Sequence, residues 1–526
     1  MEHVEKLESQ LWQLLGDVQT RCAEQVPALA DDKVFLATLL GGALLIVLLG
    51  KAMFSKKYNR APRFNYFLRA LSGEFDMKNE GPLKLLRKGV EECGEIFHMK
   101  VAHKNLTVLM GPEATKVMFE SKDHEIGQKE VYDFTIPVFG KNVVYDSPVE
   151  VMAQQLKFVS TALKKRNALR NAVPKAAGEA FKHVAAMYKE EGEINIHEMC
   201  SVLTLNSAAR VLLGDTCRES LRHEFGSLYQ DLSDGMSHLS YFLPYLPTKA
   251  HRQRDAARKR IGEVFKNVIK MRKASGVSED GFLDVLLDAR YRDGRKLNDD
   301  EICGLTVAAL FGGQHTSAIT TTWLAMLTSM PQYRYVADKI REEFEEALQK
   351  TDYVLNWETV ELMPFAHACV KETLRMFPPL ISLLRYARAD LKCGKYDIPK
   401  GDIVVTSPSV LHHLPQYYED PEVFKPERFL HEDVSVENQH GSSFNDTKHL
   451  YIPFGSGRHS CMGERYGILQ IKIVFAIMLR ELDFELVNPD FDPKVDYSAI
   501  VAGPPHEDCM LRYKRRHPSP EISIEI

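Results

Sequence analysis

A single cysteine stands in YIPFGSGRHSCMG, residues 451–463, where thiolate chemistry is available. Gly455, Gly457 and Gly463 surround Cys461. Glycine lets a backbone turn tightly or press against a flat object. The stretch that follows, GERYGILQIKIVFAIMLREL, has the apolar spacing of a helix. Amide donors and a positive helix end are therefore expected near the sulfur, favouring its anionic form. A thiolate against a flat partner suggests ligation of haem iron, while a buried loop cysteine is the plainer alternative. Upstream, KETLR sets Glu372 and Arg375 three residues apart on one helix face, a spacing that is usually a solvated salt bridge. In DDEICGLTVAALFGGQHTSAITTTWLAMLTSM, residues 299–330, Gly312, Gly313, Gln314, His315 and Thr316 interrupt an apolar helix. Such residues let a backbone open and hold water or oxygen, although a mid-helix threonine more often bonds back to a carbonyl.

These residues need a scaffold, and 526 residues suffice for a large core. With 44% hydrophobic and 26% charged residues the chain is a folded globular protein, and a net charge of -5 gives no nucleic-acid signal. Nine cysteines without a CxxC pair argue against a disulfide framework or a zinc site. The amino-terminal run Val34–Gly50 has 17 residues without a charge and extends to Phe54 past Lys51. That length suits a bilayer span, and Lys51, Lys56, Lys57 and Arg60 put its far end in the cytosol. A buried core helix or a signal peptide fits less well.

The expected organisation is therefore a luminal segment at 1–33, a transmembrane anchor at 34–54, a linker at 55–65, a catalytic domain at 66–513 and a flexible tail at 514–526. Alternation in EIFHMKVAHKNLTVLMG, residues 95–111, predicts an antiparallel hairpin, followed by a helix in PEATKVMFES. Most of the remainder has helical periodicity, with a further strand-rich patch between Leu391 and Thr406. The fold class is mainly α with small β-sheets.

The cysteine stretch resembles the haem-binding loop F-x-x-G-x-[RH]-x-C-x-G of the cytochrome P-450 superfamily, through Phe454, Gly457, His459, Cys461 and Gly463. KETLR is similar to the family's E-x-x-R pair, and PERF supplies Arg428, the third member of its buried ion network. GGQHTS resembles the sterol 14α-demethylase branch, as do GRHSCMG, VYDFTIPVFGKNVVYD at 131–146 and LYQDLSDGMSH at 228–238. The resemblance runs from about residue 66 to 513.

By that resemblance the fold is the cytochrome P-450 fold and the cofactor is haem b, iron protoporphyrin IX. Cys461 is implied as the axial iron ligand, with Tyr132, Tyr145, Arg385 and His459 at the propionates. Thr316 is implied as the oxygen-activating residue, with His315 and Asp231 as a proton-delivery ion pair. Phe134, Phe139, Met236, Ala308, Phe311, Leu380, Leu384 and Val501 match positions lining a sterol cavity. Phe134 corresponds to a position where phenylalanine accompanies sterols with one methyl at carbon 4, such as obtusifoliol, a bulky ring filling the space of the second. Two departures stand out: Gln155, Leu156 and Lys157 replace a usual glutamine and basic pair near a propionate, and Ser460 replaces an arginine.

The implied activity is three-step oxidative removal of the 14α-methyl group of a sterol precursor. Its implied partners are NADPH-cytochrome P-450 reductase, the lipid bilayer of the endoplasmic reticulum with the catalytic domain cytosolic, and azole inhibitors. A haem-thiolate hydroxylase of fatty acids or xenobiotics shares the cysteine loop, KETLR and the threonine, but has no need of GGQHTS together with VYDFTIPVFG. A non-oxidative sterol-binding haem protein has no need of a proton relay.

Overall fold

A computed structural model describes residues 58–65, 81–101, 104–187, 189–214, 225–276, 278, 281–430, 449–496, 503, 505 and 509–524. The expected membrane span lies outside these residues, as do the luminal segment and Val501. Among the described residues no helix is long and apolar enough to cross a membrane.

The long helix runs unbroken from Asp299 to Ser329. Its start is set by a capping box in which Asn298 Oδ1 accepts the Glu301 N–H at 2.9 Å and Glu301 Oε2 accepts the Asn298 N–H at 2.8 Å. Asp299, Asp300 and Glu301 add negative charge at the positive helix end. The helix packs against Ile196–Leu213 and Glu464–Glu481 in a mainly helical body. Phe265, Phe344 and Phe475 are each buried in this body, and each stabilises it by about 1.5–3 kcal/mol.

Beside the helices lies a five-stranded sheet in the order Ile96–Val101, Lys104–Leu109, Ile403–Thr406, Leu383–Ala387, Ile126–Gly127. The expected hairpin is present, Ile96 facing Leu109 and Val101 facing Lys104, and Pro112–Glu120 is helical as its pattern predicts. The strand Leu383–Ala387 was not among the expected ones. Its position delivers Arg385 to the site, and its sequence LLRYA is too short to separate from a helical turn by periodicity. A second sheet orders Leu482–Leu486, Met510–Arg515 and Glu191–Asn195.

Two boundaries differ from expectation. The compact body begins at Arg60, inside the expected linker: Arg60 donates to both Asp402 oxygens at 3.1 and 3.2 Å, and Phe64 is buried against Phe97. The tail is docked in its described part and not frayed. Ser523–Ile524 pairs in parallel with Val354–Leu355, the Ser523 N–H donates to the Tyr353 carbonyl at 3.0 Å, and Arg480 donates to the Pro520 carbonyl at 2.7 Å. Main-chain pairing holds this segment although Pro518 and Pro520 withhold two backbone donors.

Candidate active site

The cysteine loop takes its shape from two of its three glycines. Gly455 and Gly457 have φ of 68° and 67°, in the left-handed region that side chains rarely adopt. A Cβ on Gly457 would lie 2.3 Å from the Phe119 carbonyl oxygen, so that glycine is also required by close approach. Gly463 has an ordinary φ of -93° and serves as the residue before the helix Glu464–Glu481. The Cys461 N–H donates to the Phe454 carbonyl at 2.8 Å, closing the loop on itself.

The sulfur differs from expectation in one respect. Backbone donors from Gly463 and Glu464 do favour its anion, but burial is the stronger influence and pushes the thiol up, with Glu464 adding to that direction. The side chain is nonetheless exposed, open to a ligand. A metal cation at the sulfur reverses that balance, because a coordinated thiol is deprotonated outright.

Beneath the loop lies the ion network. Arg375 donates to Glu372 through two bonds, at 2.8 and 2.9 Å, with both side chains wholly buried. Arg428 and the Lys425 N–H add donors to Glu372 at 3.2 and 3.0 Å. Arg375 also donates to the His412 carbonyl at 2.9 Å. His412 accepts the Ile452 N–H on Nε2 at 3.0 Å, so its proton sits on Nδ1 and is directed at the Arg375 carbonyl, 3.2 Å away. Thus the network reaches the cysteine loop through a histidine that the sequence reading did not single out.

Arg385 is 3% exposed, and burial pulls its guanidinium down from its ordinary value. Its neighbours are neutral: it donates to the Leu384 carbonyl at 2.8 Å, and the Gln128 amide, turned oxygen-inward, accepts from it at 3.0 and 3.1 Å. Tyr132 and Tyr145 stack beside it with ring centroids 5.4 Å apart, and burial raises the Tyr145 phenol. A buried cation ringed by hydroxyl and amide groups fits an incoming carboxylate such as a haem propionate. His459 also feels Arg385, but its Nε2 is engaged by Asp123 Oδ1 at 2.7 Å. Lys157 is exposed, whereas Gln155 is wholly buried and accepts the Val144 N–H at 2.7 Å, pinning the backbone next to Tyr145.

On the long helix, Ala308, Phe311, Gly312, His315 and Thr316 share one face by helical spacing. The helix does not open there. Thr316 Oγ1 donates to the Gly312 carbonyl at 2.9 Å, so in this state the hydroxyl satisfies a carbonyl locally. Cβ positions at Gly312 and Gly313 front open space.

The expected Asp231–His315 ion pair is not formed. His315 Nε2 is hydrogen-bonded to Ser233 Oγ, and the Tyr229 ring lies 5.1 Å from the imidazole. Tyr229 and Ser233 are one turn apart on the helix Phe225–Asp234 and face His315 together, which turns Asp231, two residues away from each, to the other side.

Of the expected cavity residues, Phe139 and Phe311 meet edge to face at 6.2 Å, and Phe139 contacts Tyr145 at 6.4 Å. Phe134 is buried between Tyr132, at 6.3 Å, and Tyr241, at 5.4 Å. Met236 packs in the same core as Phe139 and Phe311, while Leu380 and Leu384 belong to two other clusters around the strand Leu383–Ala387. Residues missed from sequence are Gln128, Asp123, Ser233, Tyr241 and His412; each acts through a partner 37 or more residues distant, or across the site from another element, where no local pattern marks it.

Taken together, an exposed sulfur, a buried guanidinium with no carboxylate partner among the described residues and a glycine-lined helix face fit haem. Comparison with known proteins agrees. The family model described as Cytochrome P450 matches residues 62–509. The obtusifoliol 14-alpha demethylase of Triticum aestivum is 38% identical, covering 83% of this chain and 94% of that protein. The sterol 14-demethylase of Arabidopsis thaliana is 37% identical, covering 83% and 88%. The lanosterol 14-alpha demethylase of Rattus norvegicus is 34% identical, covering 83% and 84%. A solved structure of retinoic acid bound cyanobacterial CYP120A1 has a TM-score of 0.71 at 22% identity, covering 88% of this chain and 100% of that one, which is a likeness of fold.

Proposed function

The chain belongs to the cytochrome P450 family, and we propose that it is a sterol 14-demethylase that removes the 14α-methyl group of a sterol precursor. The methyl group is oxidised in three rounds, to alcohol, then aldehyde, then loss as formate, leaving a 14,15 double bond. Each round takes one oxygen molecule and two electrons, delivered from NADPH by a reductase. The observation that carries this reading is the set of relatives of that activity at 34–38% identity over most of the chain, and the glycine-shaped Cys461 loop, the buried Arg385 and the His315–Thr316 helix face are compatible with it.

Bound haem would supply oxygen activation, aided by electron density from a thiolate ligand. Cys461 would provide that ligand, its loop shaped by the Gly455–Gly457 turn and the Ile452–His412 bond. Arg385, with Tyr132, Tyr145 and Gln128 around it, would hold the propionates by charge-assisted hydrogen bonds. Phe139 and Phe311 form an apolar wall that excludes water and orients a long rigid ligand. Thr316 carries a hydroxyl that can turn from the Gly312 carbonyl to hold a proton at the reacting face.

The preferred substrate is a 4-monomethylated sterol of the obtusifoliol or norlanosterol type. Phe134 supports this: its ring packs between Tyr132 and Tyr241, so moving aside for a second methyl at carbon 4 would displace them. Residues 34–54 anchor the protein in the endoplasmic reticulum membrane with the body in the cytosol, a reading supported by the uncharged run and the basic residues after it. From that position a lipid-dissolved sterol can enter from the bilayer side.

The test is a spectral titration of purified full-length protein with obtusifoliol and with lanosterol, followed by turnover with a reductase. A thiolate-type carbon monoxide spectrum and formate release are expected. Formation of a hydroxylated sterol that keeps its methyl carbon would replace this activity with simple hydroxylation.

A further inference from the structure

His315 is enclosed from three directions. Phe311 lies one turn before it at 5.6 Å, Tyr229 stands at 5.1 Å across the helix interface, and Ser233 Oγ holds Nε2. The Tyr229 hydroxyl donates to the Phe311 carbonyl at 3.3 Å, tying the two helices at this level. The ring has no carboxylate hydrogen-bond partner among the described residues. The charged and titratable groups that face it are His197, from the helix Ile196–Leu213, and Asp234. Asp234 is exposed and accepts from Gln230 at 2.7 Å, so its pull is weak. Burial is the largest influence and takes the imidazole down to about 4, with His197 adding to that direction.

We propose that Ser233 is a positioning residue for proton delivery: its hydroxyl, and not the carboxylate of Asp231, orients the His315 ring beside Thr316. This rests on the reaction proposed above. A carboxylate partner would hold a cationic imidazole, and delivery would then require breaking an ion pair. A hydroxyl partner holds an uncharged ring and breaks at the cost of a neutral hydrogen bond, so the ring can turn between Ser233 and the reacting face without separating charge. Serine is also amphoteric: it can accept from the imidazole or donate to it, so it suits either tautomer, where a carboxylate accepts only.

Three variants of the full-length holoenzyme test this. Ser233→Ala is expected to lower product formed per NADPH by about tenfold, in line with the loss of a residue that orients a reacting group, with sterol binding unchanged. Ser233→Thr, which keeps the hydroxyl, is expected to restore coupling. Ser233→Asp should raise the His315 pKa and introduce a new ionisation between pH 5.5 and 8 into the coupling profile. A readout independent of turnover is the nitrogen-15 spectrum of labelled histidine, with His315 assigned by its glutamine variant: silent over that pH range in the wild type and titrating in Ser233→Asp. Wild-type coupling in Ser233→Ala, or a wild-type His315 that titrates near neutrality, overturns the proposal. Equal loss of coupling in Asp231→Asn and Ser233→Ala also overturns it. If the wild type demethylates no sterol, the reaction assignment fails, while the nitrogen-15 titration still decides the role of Ser233.

Discussion

Arg375 clasps Glu372 through two parallel hydrogen bonds, at 2.8 and 2.9 Å, and neither side chain reaches solvent. Removing one partner strands the other as an uncompensated buried charge. Glu372→Gln is expected to cost about 3–5 kcal/mol, seen as a lowered thermal midpoint and loss of bound haem. An unshifted midpoint would show that the carbonyls of His412 and Val423 satisfy Arg375 alone.

The glycines of the cysteine loop should separate by conformation. Gly457→Ala meets both a left-handed backbone and the Phe119 carbonyl, and is expected to cost about 1–3 kcal/mol from backbone strain before the clash is counted. Gly463→Ala, with an ordinary φ and only Cys461 Sγ at 3.9 Å, should keep stability and the carbon monoxide spectrum. Equal damage from both would contradict the geometry described for the loop.

Substrate choice should pass through Phe134. Phe134→Leu opens room at the wall and is expected to shift the ratio of kcat/KM for lanosterol over obtusifoliol upward by about tenfold. Tyr241→Ala, which removes the ring against which Phe134 rests, should move the ratio in the same direction and by less. Unchanged ratios in both variants would sever Phe134 from substrate choice.

Thr316→Ala should uncouple electron flow from product, since no hydroxyl remains to leave the Gly312 carbonyl and hold a proton. Thr316→Ser should retain coupling. Product per NADPH is the measurement, and wild-type coupling in the alanine variant removes Thr316 from the relay.

Stability should fall on the acid side. His367 and His413 are each lowered to about 3 by burial, His367 also by Lys472 and Lys371, and His413 by Arg87 and Arg375. Their folded values lie below the unfolded value near 6.5, so on acidification the unfolded chain takes the proton first. Stability is full above about pH 7 and is lost as pH falls through 6.5 toward 3. At pH 5.5 each histidine removes about 1.4 kcal/mol relative to neutral pH. Thermal midpoints at pH 7.5 and 5.5 check this, and His367→Gln should flatten the difference.

Local pattern made Cys461, Glu372, Arg375 and the hairpin at 96–109 legible, because each is written within one short run of neighbouring residues. The mainly helical class was legible for the same reason. Partnerships across long separations were not. His315 meets Ser233 from 82 residues away, and nothing in LYQDLSDGMSH says which of Asp231, Ser233 and Asp234 faces inward until Tyr229 fixes the helix rotation. Similarly, the helix end near Cys461 predicted a lowered thiol, and burial overrode it. The tail was misread because a strand of two residues carries no periodicity, and its pairing is decided by a distant edge.

The carboxyl-side strand Ser523–Ile524 is stitched to a segment 170 residues earlier, through Ser523 and Tyr353. At translation speeds of about 5–20 residues per second, the edge at Val354–Leu355 waits roughly ten to thirty seconds for its mate. During that interval the nascent body presents an open ladder to its surroundings, so this seam closes well after its first edge has emerged.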